Sequence, residues 1–315
     1  MFLRKNHTKN IDYPAEIVTD LGDLMRFEYL VQSGRLLPEH PVYSILAGKH
    51  TSKLRGRGLD FEEVRLYAPG DDIRNIDWRV TARTGKTHSK VFNEEKERPT
   101  FTLLDQSACM FFGSEKYVKS VTAAHAAALS GFYTIKRGDR FGGIIFNEDG
   151  YDYIAPKRSK ALVQHFLQLT VERNKVLPQR KYIKENTALL NEMLQRTRAF
   201  ITHDYVVTVI SDFSFMNQQT KEYLRNMSYH NDVILIHVYD PLDEALPDGK
   251  LLLSDGKHQI GWQNNKKNWG KKYEESFPAF KNRLTSEFRD YKIPVVFFNT
   301  ATPVEEQIMH HLGAM

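Results

Sequence analysis

From residue 99 to the end, short apolar runs alternate with amphipathic segments, and no other feature limits the fold of this chain so strongly. The runs are "TFTLL" (100–104), "RFGGIIF" (140–146), "YVVTVISDF" (205–213), "DVILIHVYD" (232–240) and "IPVVFFNT" (293–300). A continuous apolar run of strand length suits a strand buried on both faces, and such strands occur in parallel sheets covered by crossover helices. The expectation is an α/β fold: a mostly parallel sheet with strands near 100–104, 140–146, 205–211, 232–238 and 293–298, and helices on both faces. Between the runs, Val118, Val121, His125, Ala128, Leu129, Phe132 and Ile135 share a helix face that Gly138 closes, and further helices are expected near 159–172 and 187–198. "GYDYIAP" (150–156) reads as an antiparallel edge strand, and "KLLLSDGKHQIGW" as a hairpin turning on Asp255-Gly256. Trp269, Tyr273, Phe277, Phe280, Leu284 and Phe288 mark a long helix in which Pro278 is a candidate kink. Thr302-Pro303-Val304-Glu305 has the form of a capping box with proline at the first helical position.

Upstream the pattern changes twice. Residues 15–33 carry Ile17, Val18, Leu21, Leu24, Met25, Phe27, Leu30 and Val31 at helical spacing, with Ser33-Gly34 as a stop. From about 50 to 98, the pieces "LDFEEVRLY", "NIDWRVTART" and "THSKVFNEE" are β-prone and are separated by turns at Pro69-Gly70 and Thr84-Gly85-Lys86. We therefore expect an N-terminal helical segment over 1–49, a small β-rich unit over 50–98, and the sheet domain over 99–315. Phe61, Val64, Tyr67, Ile76, Trp78, Val80, Val91 and Phe92 would supply the core of the small unit.

Composition narrows the function classes. The 315 residues are 41% hydrophobic and 26% charged, ordinary for a folded soluble chain. No run of eighteen apolar residues and no signal-like start is present, so membrane insertion is not expected and a cytoplasmic location is. Cys109 is the only cysteine, which rules out an intrachain disulfide. The net charge of +5 does not by itself imply nucleic acid; the basic residues gather at 157–160 and 173–184, where a solvated face is the simpler reading and an acidic partner the alternative.

Ligands of open α/β sheets bind beyond the carboxyl ends of the strands. Asp105 and Asp212 each follow an apolar run directly and should emerge there, and Thr187 at a helix start can reach the same edge. With Ser107 they form an all-oxygen set suited to Mg²⁺, short of negative charge, that an acidic group of a partner could complete. Short polar residues after a strand commonly serve as helix caps, and the motif taken alone favours that reading; the position of Asp212 and the stretch 61–99 turn the balance towards a site. Gly70-Asp71-Asp72-Ile73-Arg74-Asn75-Ile76-Asp77-Trp78-Arg79 is a dense acid–base cluster. It reads first as a turn whose aspartates pair with Arg74, Arg79 or Arg83 and cap backbone donors, next as a partner-binding site, and last as a general acid/base set. His125 reads as a core histidine, and Trp78, Trp262 and Trp269 as packing residues.

Asp105-x-Ser107-x-Cys109, Thr187 and Asp212 resemble the metal-ion-dependent adhesion site of von Willebrand factor A domains, whose first motif is D-x-S-x-S. The stretch "FEEVRLYAPGDDIRNIDWRVTARTGKTHSKVFNEEKERP" (61–99), with Cys109-Met110-Phe111-Phe112-Gly113, "KSV", "GDRFGGIIF", "ISDF" and "DPLDEALPD", resembles domain-of-unknown-function family 58 of bacteria. The resemblance implies a von Willebrand factor A-like fold, a divalent metal at that edge and non-enzymatic work as an adaptor or co-chaperone of a MoxR-type AAA+ ATPase and a protein client. The metal ligands it implies are Asp105, Ser107, Cys109, Thr187 and Asp212. Cys109 stands where the motif has its second serine, and a soft thiol in a hard-oxygen site implies weakened Mg²⁺ binding or a site without metal. Thr187 matches less closely, since Asn186 replaces the usual preceding glycine.

Enzymatic motifs fail on spacing. Gly85-Lys86-Thr87 ends like a phosphate-binding loop, but Val80 stands where its first glycine should be. A cysteine phosphatase needs an arginine six residues after Cys109, where Glu115 stands, and neither H-E-x-x-H nor C-x-x-C occurs. Two rivals to the adaptor remain open at this point: a metal-dependent hydrolase built on Asp105 and Asp212, and a nucleic-acid-binding module using the basic segments.

Overall fold

A computed structural model describes residues 13–33, 60–93, 98–180, 187–246, 250–254, 259–263 and 267–310. In chain order the elements are α1 (Leu21–Gln32), β1 (Asp60–Leu66), α2 (Trp78–Thr84), β2 (His88–Asn93), β3 (Thr100–Asp105), α3 (Lys119–Lys136), β4 (Phe141–Asn147), β5 (Gly150–Lys157), α4 (Lys160–Asn174) and α5 (Thr187–Phe200). There follow β6 (Val206–Ser211), α6 (Gln218–Ser228), β7 (Asp232–Tyr239), α7 (Pro241–Glu244), β8 (Lys250–Ser254), β9 (Gln259–Gln263), α8 (Lys267–Arg289), β10 (Val295–Asn299) and α9 (Val304–His310). The chain divides into two compact units, Met1–Gly48 with Arg98–Met315, and Lys49–Glu97.

The larger unit is built on a six-stranded sheet of order β10-β7-β6-β3-β4-β5, parallel throughout except for β5, which runs antiparallel beside β4. All five expected parallel strands are present. Period-two alternation sorts the side chains: Leu104, Ile210, Ile234 and Ile236 join one buried layer, and Phe101, Leu103, Val207, Val209, Val233 and Leu235 the other. From β3 the chain builds outward through β4 and β5, then returns to the other side of β3 with β6 and continues to β7 and β10. The direction of growth therefore reverses between β3 and β6, and a crevice opens at such a reversal.

Helix α3 is buried almost all round, because small residues (Ala123, Ala124, Ala126, Ala127, Ala128) let it sit between sheet and α1. Helix α1 seats Leu24, Phe27 and Val31 in the same core layer. Polar ties lock it down: Asp23 Oδ2 lies 2.6 Å from His125 Nε2, and Lys136 Nζ donates to the Val31 carbonyl at 2.6 Å. Burial pushes the Asp23 carboxyl up, but the His125 hydrogen bond and charge, then Arg26 and Thr19, hold it below the usual range. Helix α1 begins at Leu21, later than the apolar spacing suggested, because the Asp20 side chain accepts from the Asp23 N–H at 2.9 Å and caps it there. At the other end, α9 begins at Val304 rather than Pro303, and the Pro303 carbonyl accepts from Glu306 and Gln307. Helix α8 continues through Pro278. The β8–β9 hairpin is present; its Asp255-Gly256 turn, like Gly34, lies outside the described residues.

The smaller unit pairs β1 with β2 antiparallel. Its middle piece corrects the β reading of "NIDWRVTART": Ile73–Asn75 is a 3-10 turn and Trp78–Thr84 a helix. Asp77 explains the switch, since its carboxylate accepts from the N–H groups of Arg79 and Val80 and so starts a helix, which Gly85 ends at φ 69°. The expected core is also corrected. Val64, Tyr67, Ile76, Val80 and Val91 are only half-buried, Trp78 is 70% exposed, and Ser89 is the one buried side chain among those described from 63 to 91. The side chains of Phe61 and Phe92 lie outside the described set, as do those of Trp262, Trp269 and Tyr273.

Candidate functional site

The parallel register brings Asp105, the last residue of β3, level with the end of β6, where Asp212 follows Ser211. Both carboxylates are buried, at 5% exposure each. The Ser107 N–H donates to Asp105 Oδ1 at 2.9 Å and Ser211 Oγ donates to Asp105 Oδ2 at 2.7 Å. Cys109 closes the group: its Sγ is 3.0 Å from Ser107 Oγ and 3.7 Å from Asp212 Oδ1. Ligand atoms of Asp105, Cys109 and Asp212 all lie within 4.8 Å of one another, so these three could hold a metal ion. Thr187 opens α5, whose Leu189 and Leu190 line the same cleft; the Thr187 side chain lies outside the described set.

Two buried carboxylates side by side need a cation, and the structure supplies one that the motif did not suggest. Lys119, the first residue of α3, is itself buried and donates from Nζ to Asp212 Oδ2 at 2.5 Å. Burial pushes the Asp212 carboxyl up, but the Lys119 charge and hydrogen bond outweigh it and hold Asp212 low. Burial likewise pushes the Lys119 ammonium down, and Asp212 more than restores it. Asp105 has no such partner: burial and the Asp212 charge push it up to about 6, despite hydrogen bonds from Ser107 and Ser211. The Cys109 thiol is pushed far up by burial and by both carboxylates, so it stays protonated here. Of these three ligands, Asp105 and Asp212 offer the hard carboxylate oxygen that a divalent cation prefers. Cys109 offers a neutral, soft sulfur, and Lys119 already neutralises one carboxylate.

Surrounding contacts fix this geometry. The Ala108 N–H donates to Glu148 Oε1 at 2.8 Å, and Glu148 pairs with Arg180 at 3.3 Å. The loop between Cys109 and Lys119 folds back tightly at Gly113, where a Cβ would meet the Tyr117 carbonyl oxygen at 2.1 Å. Asp240 anchors that loop, accepting from the Ser114 N–H at 2.8 Å and from Ser114 Oγ at 2.5 Å. Phe213, directly after Asp212, holds φ at 49°, a left-handed conformation that costs a bulky residue roughly 1–3 kcal/mol. On the neighbouring strand His237 pairs in register with Ser211, is ringed by Phe213, Tyr239, Phe277, Phe280 and Phe297, and is pushed down to about 4, chiefly by burial.

The sequence reading missed Lys119, Ser211, Glu148 and Asp240. Lys119 carried a weak signal: a charge opening a helix whose next residues, Ser120 to Ala124, are all small or apolar. The aspartates of the 70–79 cluster do cap backbone donors, and Asp71 pairs with Arg65 (2.6 Å) and Asp77 with Lys90 (3.7 Å), two cations the sequence reading did not name. In the basic segments, Arg173 is paired with Asp152 and Arg180 with Asp149 and Glu148, so these cations serve the fold.

The family described as "Protein of unknown function DUF58" matches residues 63–277, more than half of the chain. The chain belongs to the DUF58 family. Relatives include "Uncharacterized protein Rv1480" of Mycobacterium tuberculosis (strain ATCC 25618 / H37Rv) and "Uncharacterized protein Mb1516" of Mycobacterium bovis, each 31% identical over 218 residues. The match covers 69% of this DUF58 chain and 66% of each relative, just under two thirds of their length. Among solved structures, a conserved hypothetical protein BatB from Bacteroides thetaiotaomicron aligns with TM-score 0.40 and 13% identity over 69% of this chain and 100% of that one. No described helix of the DUF58 chain is long and apolar enough to cross a membrane.

Proposed function

We propose that this DUF58 protein is a non-enzymatic adaptor or co-chaperone that works with a MoxR-type AAA+ ATPase and presents the Asp105–Asp212 edge to a protein partner. The observation that carries this reading is the size of the site. The cleft over Asp105, Ser107, Cys109 and Asp212 encloses about 20 Å³, room for about one water molecule or one ion. Small-molecule sites are usually about 300–1,000 Å³, so this geometry favours an ion-mediated contact over a hydrolase pocket. A divalent cation held by the two carboxylates would supply an open coordination position for an acidic side chain of the partner.

The test is recovery of partners by the intact protein in Mg²⁺ or in EDTA, with Asp105→Ala beside the wild type. An AAA+ ATPase should be recovered in Mg²⁺ and lost both in EDTA and in the variant. Equal recovery by Asp105→Ala would overturn the reading. Cys109→Ser should bind Mg²⁺ about fivefold more tightly than the wild type, because a hard oxygen replaces a soft sulfur.

A further inference from the structure

We propose that the outer face of α2 docks an acidic segment of a partner protein, the Trp78 ring seating an apolar side chain and the arginines beside it taking carboxylates. No residue of the Asp105–Asp212 edge takes part, so metal binding there is not required.

Helix α2 has one face against β2: the Thr81 hydroxyl accepts from the His88 N–H at 3.0 Å, and Val80 and Thr81 are half-buried. The other face is bare. Trp78, Arg79, Ala82 and Arg83 are all exposed, Trp78 at 70%. The helical period sets 78 beside 82 and 79 beside 83, so the four make one stripe. Arg74 on the turn before and Lys86 on the turn after are exposed as well.

Charge on this stretch is one-sided. From Ile73 to Lys86 the only carboxylate is Asp77, and it is committed within the unit, accepting from the Arg79 and Val80 N–H groups and facing Lys90 at 3.7 Å. Just upstream, Asp72 accepts from the Arg74 N–H, and Asp71 is held by the Ala68 N–H and Arg65. Among the described residues, no ion pair reaches the side chains of Arg74, Arg79, Arg83 or Lys86. Like charges four apart on a helix destabilise it, and Arg79 and Arg83 stand so on a helix of 7 residues. A carboxylate brought between them would relieve that repulsion, and a guanidinium can give it two parallel hydrogen bonds. Arginine clusters recognise acidic motifs in this way, and tryptophan and arginine dominate binding energy at interfaces. The unit also exposes Glu63 and Asp72, which would repel a phosphate chain. Nucleic-acid binders make on the order of 6–10 phosphate contacts, so the few cations here suit a short acidic peptide better.

Fluorescence anisotropy with the full chain in EDTA tests this. The probes are a labelled peptide of glutamates around one phenylalanine, its glutamine counterpart, and labelled oligothymidylate. The glutamate peptide should bind the wild type about tenfold more tightly than the glutamine peptide, and less tightly as salt is added. Arg79→Gln combined with Arg83→Gln should weaken it about tenfold, and Trp78→Ala about fivefold. Arg198→Gln, which removes an exposed charge from α5, should change nothing. Circular dichroism checks folding; should an α2 variant unfold, Arg74→Gln with Lys86→Gln reads the same face and should weaken binding about threefold. Equal binding of the two peptides, unchanged affinity in the variants of this face, or an equal loss in Arg198→Gln overturns the proposal. Tighter binding of oligothymidylate overturns it in favour of nucleic acid. A wild-type dimer in sedimentation that the α2 variants abolish overturns it in favour of a second copy of this chain.

Discussion

The two compact units solve the problem of holding a fold together in opposite ways. In the sheet unit, strands β3, β4, β6 and β7 are buried nearly end to end, and the buried ammonium of Lys119 sits against the Asp212 carboxylate. In the unit of residues 49–97, the described side chains from 63 to 91, Ser89 apart, stay half-buried or exposed, and short-range polar contacts tie the turns: Asp71 to Ala68 N–H and Arg65, Asp72 to Arg74 N–H, Asp77 to Arg79 and Val80 N–H. One region is stabilised by apolar area removed from water; in the other, caps tie the described turns beside the β1–β2 ladder.

That contrast can be broken by mutation. Phe101→Ala should cost the most, about 3–5 kcal/mol in denaturant unfolding, because a fully buried ring in the second core layer leaves a cavity. Asp23→Asn should cost about 1 kcal/mol at neutral pH, a value discounted for partial exposure, by weakening the tie from α1 to His125. The Asp23 carboxyl is depressed in the folded state. Its contribution is therefore present above the unfolded value of 3.8 and is lost as pH falls through the lower folded value, so variant and wild type should converge in strongly acidic melts. Asp77→Ala should leave global unfolding nearly unchanged yet raise amide exchange at Arg79 and Val80, whose N–H groups it caps. Smallest of all, Trp78→Ala should move stability by no more than about 0.5 kcal/mol, since the ring is mostly exposed. A loss near that of Phe101→Ala would show that the small unit packs Trp78 in solution.

The same contrast explains what the amino-acid sequence made legible. Runs such as Val206–Ser211 and Asp232–Tyr239 announce their state because hydrophobic pattern and burial coincide, and the five parallel strands followed from them. The convergence of Asp105, Cys109 and Asp212 followed in turn, since strand ends in a parallel sheet share an edge. Propensity misled at 76–84: Ile76, Trp78, Val80 and Thr81 are β-prone, yet one carboxylate placed to cap a helix decided the outcome. Lys119 was illegible for another reason. Its role depends on a partner 93 residues away that only the sheet brings within reach. No local pattern encodes that contact.

Helix α1 has a consequence for how the protein is made. It precedes in the chain every surface it covers: its tie to His125 spans 102 residues, and that from Arg26 to Glu305 spans 279. During synthesis it leaves the ribosome with Leu24, Phe27 and Val31 uncovered, and it must wait for α3, and later α9, before they can be buried. Such long sequence separation delays closure, because loop entropy must be overcome before the contact gains anything. The nascent chain therefore carries an unsatisfied apolar helix through much of its elongation, which is the period when a chaperone would hold it most usefully.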